Sequence, residues 1–127
     1  MPQPGDRLLG AWRLKAYDDR ESIDDDWVTT YGPEPIGLAI YDQSGCLSIQ
    51  IAEADGSRFD AYFGRFTIVA VESEENGAIS GVVNHEVAAS SMAEMLSADQ
   101  SRQFLISGTT LTLGDGLTWR RVFERAC

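Results

Sequence analysis

Apolar and polar residues alternate along most of the chain in short runs, with an apolar side chain at every second position. Clusters of Gly, Asp, Asn and Ser separate these runs at intervals of about eight to twelve residues. Such interrupted period-two alternation is typical of an all-β protein. The pattern predicts eight strands, near residues 9–17, 36–42, 45–52, 64–72, 78–88, 101–107, 110–114 and 117–124.

The connections between these runs are mostly short. Asp42-Gln43-Ser44-Gly45 and Glu75-Asn76-Gly77 are typical of tight turns between antiparallel strands. Eight strands joined in this way favour an antiparallel up-and-down barrel that closes on itself. The chain shows no internal repeat and no Pro- or Ser-rich linker, so residues 1–127 are expected to form one domain.

Two segments, 57–64 and 91–96, depart from the alternation. The first begins with a serine, carries an acid three positions later and ends in glycine, and the second has Ser91 and Glu94 at the spacing of a capping box. We expect one or two short helical turns here. Because helices this short are unstable alone, they should pack across the openings of the barrel.

Composition narrows the classes of function. The 127 residues include 20 acidic and 10 basic side chains, for a formal net charge of −10, with 43% hydrophobic and 24% charged residues. This is typical of a soluble domain with a real core. The acidic excess argues against nucleic-acid and anionic-membrane partners, which are bound through clustered Lys and Arg. Six of the acids fall within 18–26, where they predict a solvated loop.

Location and cofactors follow from what the chain lacks. No basic segment followed by an apolar run opens the sequence, and no run approaches the ~20 apolar residues that span a bilayer, so we expect a cytoplasmic protein. Cys46 and Cys127 are expected to be free thiols. No metal is expected, because His85 and Glu86 point to opposite faces of a strand. No cofactor is expected either, since phosphate-binding and dinucleotide motifs are missing.

The first and last strands carry the expected closure of the barrel. In the last strand Trp119, Arg121 and Phe123 share the apolar face, and in the first Trp12 faces inward while Tyr17 faces outward. A cation on an apolar face is costly unless it is paired or stacked. We therefore expect Arg121 to lie over the indole of Trp12 when the two strands pair.

A resemblance to a known family extends over residues 8–124. The motifs are Gly10-Ala11-Trp12-Arg13-Leu14, Tyr31-Gly32-x-x-Pro35-x-Gly37-x-x-x-Tyr41, Gly45-x-x-Ser48, Ala61-Tyr62-x-Gly64-Arg65-Phe66, His85 with Val87, and Leu111-Thr112-Leu113 to Trp119-Arg120-Arg121. In order and spacing the chain resembles the small bacterial and fungal lipocalin-like domains of the calycin group. The resemblance implies an eight-stranded barrel that binds a small apolar molecule.

The candidate site residues come from strand parity. His85, the single histidine, lies on an apolar face, so it could orient a ligand or act as a general base; the commoner alternative is a hydrogen-bonded core histidine. An arginine could bind a ligand carboxylate or form a salt bridge at the rim. Parity leaves open whether the other polar candidates face inward. The candidate ligand-binding residues are His85, Arg102, Arg65, Tyr62, Ser48 and Gln50.

Three functions remain open from the sequence. The leading hypothesis is binding of a small, largely apolar or amphipathic molecule inside the barrel. The second is an isomerase, cyclase or dehydratase on the same barrel with His85 as general acid–base. The third is a packed barrel that acts as an interaction module, for example a homodimer through outward Tyr17, Val82 or Val122.

Overall fold

Nine antiparallel strands make up the computed structural model, which describes residues 3–74, 76–92 and 100–126. The strands are β1 (Gly10–Asp19), β2 (Val28–Thr29), β3 (Ile36–Tyr41), β4 (Cys46–Ala52), β5 (Phe59–Ser73), β6 (Ile79–Ser90), β7 (Gln100–Ser107), β8 (Thr110–Gly114) and β9 (Trp119–Arg125). Strands that follow one another in the chain are paired, except that β3 pairs with β1 and not with β2, and β1 also pairs with β9. Eight strands therefore close an up-and-down barrel, as predicted, and β2 is a short extra strand beside the end of β1.

The helical turn expected at 57–64 is wrong, because β5 begins at Phe59. Its backbone pairs with β4 on one side and β6 on the other, so the ladder satisfies groups that a short helix would leave unpaired. A 3-10 helix lies instead at Pro4–Leu8. Most of the second expected turn, 91–96, lies outside the described residues.

The 3-10 helix closes one end of the barrel together with an arginine clamp. The indole Nε1 of Trp12 donates to the carbonyl oxygen of Leu8 at 2.8 Å. The guanidinium of Arg125 lies 3.8 Å from the centre of the Trp12 ring and donates to the carbonyl oxygens of Leu9 and Arg7, each at 2.6 Å. The expected stacking of Arg121 on Trp12 is therefore wrong, because the β1–β9 register places Arg125 opposite Trp12.

A β-bulge in β1 changes which residues face the interior. Leu14 pairs with Phe123, and Ala16 pairs with Val122. Lys15 therefore has no partner in β9 and is the extra residue of the bulge. Trp12 and Leu14 face inward before it, and Tyr17 faces inward after it. The outward orientation expected for Tyr17 is wrong, since parity reverses at the bulge.

The interior is packed with apolar and aromatic side chains from every strand of the barrel. The largest side chains with almost no exposed surface are Trp12, Tyr31, Tyr41, Leu8, Leu14, Ile106, Leu111, Leu113, His85 and Val83. Close packing of this kind leaves little empty volume. Within the described parts of the chain, no helix is long and apolar enough to cross a membrane.

The acidic run at 18–26 is not wholly a solvated loop. Asp18 and Asp19 belong to β1, and Asp18 is buried. Its Oδ2 accepts a hydrogen bond from Nε of Arg120 at 2.8 Å. The ring of Trp27 is stacked between Arg20 and Arg120, at 4.0 and 4.2 Å from its centre. These contacts hold the connection from β1 to β2 against the start of β9.

The clamp at the closed end makes a testable contribution to stability. Replacing Arg125 by Ala removes the stacking on Trp12 and two charge-assisted hydrogen bonds, and leaves two backbone carbonyls without that donor. We expect the free energy of unfolding in urea to fall by about 2–4 kcal/mol. Arg65→Ala, at an exposed arginine on the outer wall, should change it by less than about 0.5 kcal/mol. Equal losses in the two variants would contradict the clamp.

Candidate functional site

Polar side chains converge at the end of the barrel opposite the Trp12 clamp. Tyr17 of β1, Tyr62 of β5, Arg102 of β7 and Arg121 of β9 line an interior cavity of about 30 Å³, together with apolar residues. On the outer side of the same two arginines lies an open cleft of about 840 Å³, with Trp119 in its wall. We call the cavity and the cleft together the barrel mouth.

Arg121 is held firmly in place at the mouth. Its guanidinium lies 3.5 Å from the centre of the Tyr17 ring, and Nη1 donates to the carbonyl oxygen of Asp18 at 2.9 Å. Nη2 donates to Oδ1 of Asp19 at 3.1 Å, and Thr30 donates to the other oxygen of that carboxylate at 2.5 Å. The β1–β9 ladder and the inward turn of Tyr17 after the bulge create this arrangement.

Arg102 approaches the same space from β7. Its guanidinium lies 5.1 Å from the centre of the Trp119 ring, the same distance as that of Arg121. Burial raises the pKa of Tyr62, while the charge of Arg102 and its hydrogen bond to the phenol act in the opposite direction. Two guanidinium groups and a phenol hydroxyl thus meet at one small cavity.

His85 lies behind Tyr62, within the core. Its Nε2 is 2.7 Å from the hydroxyl of Tyr41, and its Nδ1 is 3.1 Å from the hydroxyl of Tyr62. The predicted inward orientation of His85 is confirmed, since no part of its surface is exposed. Of the two roles considered from the sequence, the structure therefore shows the hydrogen-bonded core histidine. The hydroxyl of Tyr62 links this histidine to the mouth.

Burial determines the protonation of this group. Burial, with a smaller contribution from the positive charge of Arg102, lowers the pKa of His85 from the ordinary 6.5 to about 3. The imidazole is therefore neutral near pH 7, with one N–H donor and one acceptor nitrogen. One of its two tyrosines must donate to it and the other must accept. Burial also raises the pKa of Tyr41 well above its ordinary value, so both phenols stay protonated.

A second tyrosine cluster lies beside Tyr17. The hydroxyl of Tyr31 donates to Oδ2 of Asp60 at 2.6 Å, and its ring meets that of Tyr17 edge to face at 4.7 Å. The guanidinium of Arg58 lies over the same Tyr31 ring, 4.4 Å from its centre. Burial and the bond to Asp60 raise the pKa of Tyr31, and that hydrogen bond lowers the pKa of the Asp60 carboxyl. This cluster supports the mouth from outside the cavity.

The structure separates the sequence-predicted candidates into two groups. His85, Tyr62 and Arg102 come together in the interior. Arg65 is exposed, and Ser48 and Gln50 lie on the outward face of β4, because Leu47, Ile49 and Ile51 occupy its buried face. The sheet does not bend to bring these three residues inside.

Sequence reasoning missed Arg121 and Tyr17 as site residues. Parity in the last strand favours Arg121 as the partner of Trp12, although Arg125 has the same parity and lies four residues further along β9. Tyr17 was placed outward because a bulge leaves no clear mark in an alternating pattern. The sequence also carries no signal that Tyr41 would face His85.

Within residues 3–74, 76–92 and 100–126, no group of three His, Cys, Asp or Glu side chains is placed to hold a metal ion. The class defined by the fold is a closed antiparallel barrel, and its mouth carries a pair of arginines. Comparison with protein-family models, curated proteins and solved structures found no match to the chain.

The lowered pKa of His85 makes stability depend on pH. Between about 3 and 6.5 the unfolded chain binds a proton at this residue and the folded protein does not. Stability from His85 is therefore fully present above pH 6.5 and is lost as the pH falls, by about 3 kcal/mol between pH 7 and pH 4. The free energy of unfolding in urea, measured at pH 7 and at pH 4, should fall less between these two pH values for His85→Gln than for the unchanged protein.

The ¹⁵N signals of the imidazole provide an independent measurement in the unchanged protein. We expect the signals of one neutral tautomer throughout this pH range while the protein stays folded. A titration of His85 with a midpoint near 6.5 would contradict the assignment.

Proposed function

We propose that the protein binds a small monocarboxylate with an otherwise apolar body at the barrel mouth. The observation that carries the proposal is the meeting of Arg102 and Arg121 at one interior cavity. A planar guanidinium binds a carboxylate through two parallel hydrogen bonds, and these are among the stronger polar contacts in proteins.

The size of the cavity supports a division of the ligand into head and body. A space of about 30 Å³ holds one or two waters or one small polar group, not a whole molecule. The body would lie in the outer cleft, beside Trp119 and the exposed side chain of Val28. The sequence hypothesis placed the whole ligand inside the barrel, and the cavity volume favours the mouth instead.

Charges around the cleft favour a ligand with a single negative group. Asp19, Glu21, Asp25 and Asp26 contribute to its walls, so a second carboxylate on the body would meet like charges. A neutral aromatic or aliphatic body meets no such penalty. This is the amphipathic class of partner expected from the sequence, and neither a nucleic acid nor a membrane is part of the proposal.

His85 has a positioning role in this proposal. It does not line the cavity, but its Nδ1 lies within hydrogen-bond distance of the Tyr62 hydroxyl, which does. Through that contact it holds the phenol beside Arg102. The enzyme hypothesis has one observation in its favour, the two tyrosine hydroxyls beside His85. The low pKa of His85 makes it a poor general base near pH 7, so we place binding first.

Two further predictions from the sequence belong to the same proposal. The motifs quoted above support membership of the lipocalin-like domains, and the absence of a long apolar run supports a cytoplasmic setting for the ligand. Both stay predictions.

Calorimetric titration tests the proposed site. Phenylacetate and hexanoate are the carboxylate probes, and the matching amides differ only in charge. We expect the acids to bind more tightly than the amides, and Arg102→Gln to weaken them about tenfold or more. Arg65→Gln, at the exposed arginine of the outer wall, is the matched control and should leave the affinity unchanged. Native mass spectrometry of freshly purified protein would show whether a carboxylate copurifies.

Two outcomes would overturn the proposal. One is equal binding of acids and amides, which would show that the arginines do not recognise charge. The other is an equal loss of affinity in Arg102→Gln and Arg65→Gln, which would make the effect one of overall charge.

A further inference from the structure

A gap in the barrel wall lies between β1 and β3, and the side chain of Ile51 separates it from the cavity of the mouth. The β1–β3 ladder ends at the pair Arg13 and Leu38, and β1 next pairs on that side at Asp18, with Thr29 of β2. Over residues 14–16 of β1 the described chain therefore shows no ladder partner on this side. A groove of about 990 Å³ lies on the outer wall at this gap.

The groove is apolar and reaches towards the core. Ile36, Leu38 and Phe59 line it, and all three are exposed large hydrophobic residues. Leu14 and Ile51, which belong to the buried core, contribute to its floor. A protein partner bound to the surface would contact only the exposed residues. Because core residues also line the groove, it is deep enough to enclose part of a small molecule. Its volume lies in the range of small-molecule pockets.

The charge beside the groove differs in sign from that of the whole protein. Arg13 and Lys15 contribute to one wall, against a single acid, Glu34. Neither cation forms an ion pair within 4 Å with a carboxylate of the described residues. The nearest acid on the β9 side, Glu124, lies opposite Arg13 in the β1–β9 register and interacts with the charge of Lys15. Its carboxylate oxygens accept hydrogen bonds from the hydroxyls of Thr109 and Thr110. In a chain with twice as many acids as bases, two such cations beside an apolar groove favour a ligand with an anionic head.

We propose that this groove binds a linear alkyl amphiphile with one anionic head group. The alkyl chain would lie along Ile36, Leu38 and Phe59, and the head would contact Arg13 and Lys15. Burial of apolar surface is the main source of affinity for such ligands, so the alkyl chain supplies most of the affinity and the two cations supply the orientation. The site shares no polar residue with the barrel mouth and does not depend on the function proposed there.

The test uses dodecanoate below its micelle concentration, with dodecyltrimethylammonium as a probe of equal chain length and opposite charge. Arg102→Gln serves as the background protein, so that the mouth does not compete for the carboxylate. We expect dodecanoate to bind at least about tenfold more tightly than the cation. Chemical-shift changes in two-dimensional NMR should concentrate at residues 13–15 and 36–38 rather than at 119–121.

Variants at exposed positions locate the site without disturbing the core. Leu38→Glu puts a negative charge among the apolar lining and should weaken dodecanoate about tenfold or more, and Arg13→Glu should weaken it by a smaller factor. Val69→Glu is the matched control, since Val69 is an exposed hydrophobic residue that does not line the groove, and it should leave the affinity unchanged.

Three results would overturn the proposal. Equal affinity for dodecanoate and dodecyltrimethylammonium would show that Arg13 and Lys15 do not recognise the charge of the head group. Unchanged binding in Leu38→Glu would place the ligand elsewhere. The third is a dimer in sedimentation velocity that dissociates in Leu38→Glu but not in Val69→Glu. It would show that a second copy of the chain covers the groove.

Discussion

The pairing of β1 with β9 is the constraint on which the rest of the molecule depends. It closes the sheet, and its register sets which side chain of one strand meets which of the other. Before the bulge at Lys15, the pairing places the guanidinium of Arg125 over the ring of Trp12. After the bulge, it places the guanidinium of Arg121 over the ring of Tyr17. Because the bulge reverses parity, both aromatic side chains face inward. One strand pair therefore builds a structural clamp at one end and half of a polar mouth at the other.

The interior between these ends is mostly apolar but contains one buried polar group. His85 lies between the hydroxyl of Tyr41, whose backbone pairs with Gly10 near the clamp, and the hydroxyl of Tyr62, which lines the cavity of the mouth. Such a buried polar group is tolerated because both ring nitrogens have partners and the ring is neutral. The chain of contacts from Tyr41 through His85 and Tyr62 to Arg102 therefore orders the mouth without placing a charge in the core.

Much of the fold could be predicted from the sequence because alternation with period two is a local property. Each of the eight predicted strands of the barrel is present, and His85 faces the interior as its neighbours Val83 and Val87 indicated. The errors have a common origin in contacts between distant residues. A serine and an acid at capping distance could not reveal that residues 59–64 would pair with β4 and, from Tyr62 onward, with β6 as well. Parity shows that Arg121 and Arg125 lie on the same face of β9, but only the register between β1 and β9 determines which of them meets Trp12.

The sequence by itself determined the all-β class, the antiparallel order of the strands and the inward face of β6, since each follows from patterns within a few neighbouring residues. Only the tertiary structure decided the register of the closing strands, the bulge at Lys15 and the gap between β1 and β3. These features arise when the two ends of the chain are brought together in space. The meeting of Arg102 with Arg121 and the groove beside Arg13 depend on that closure, so no local pattern could specify them.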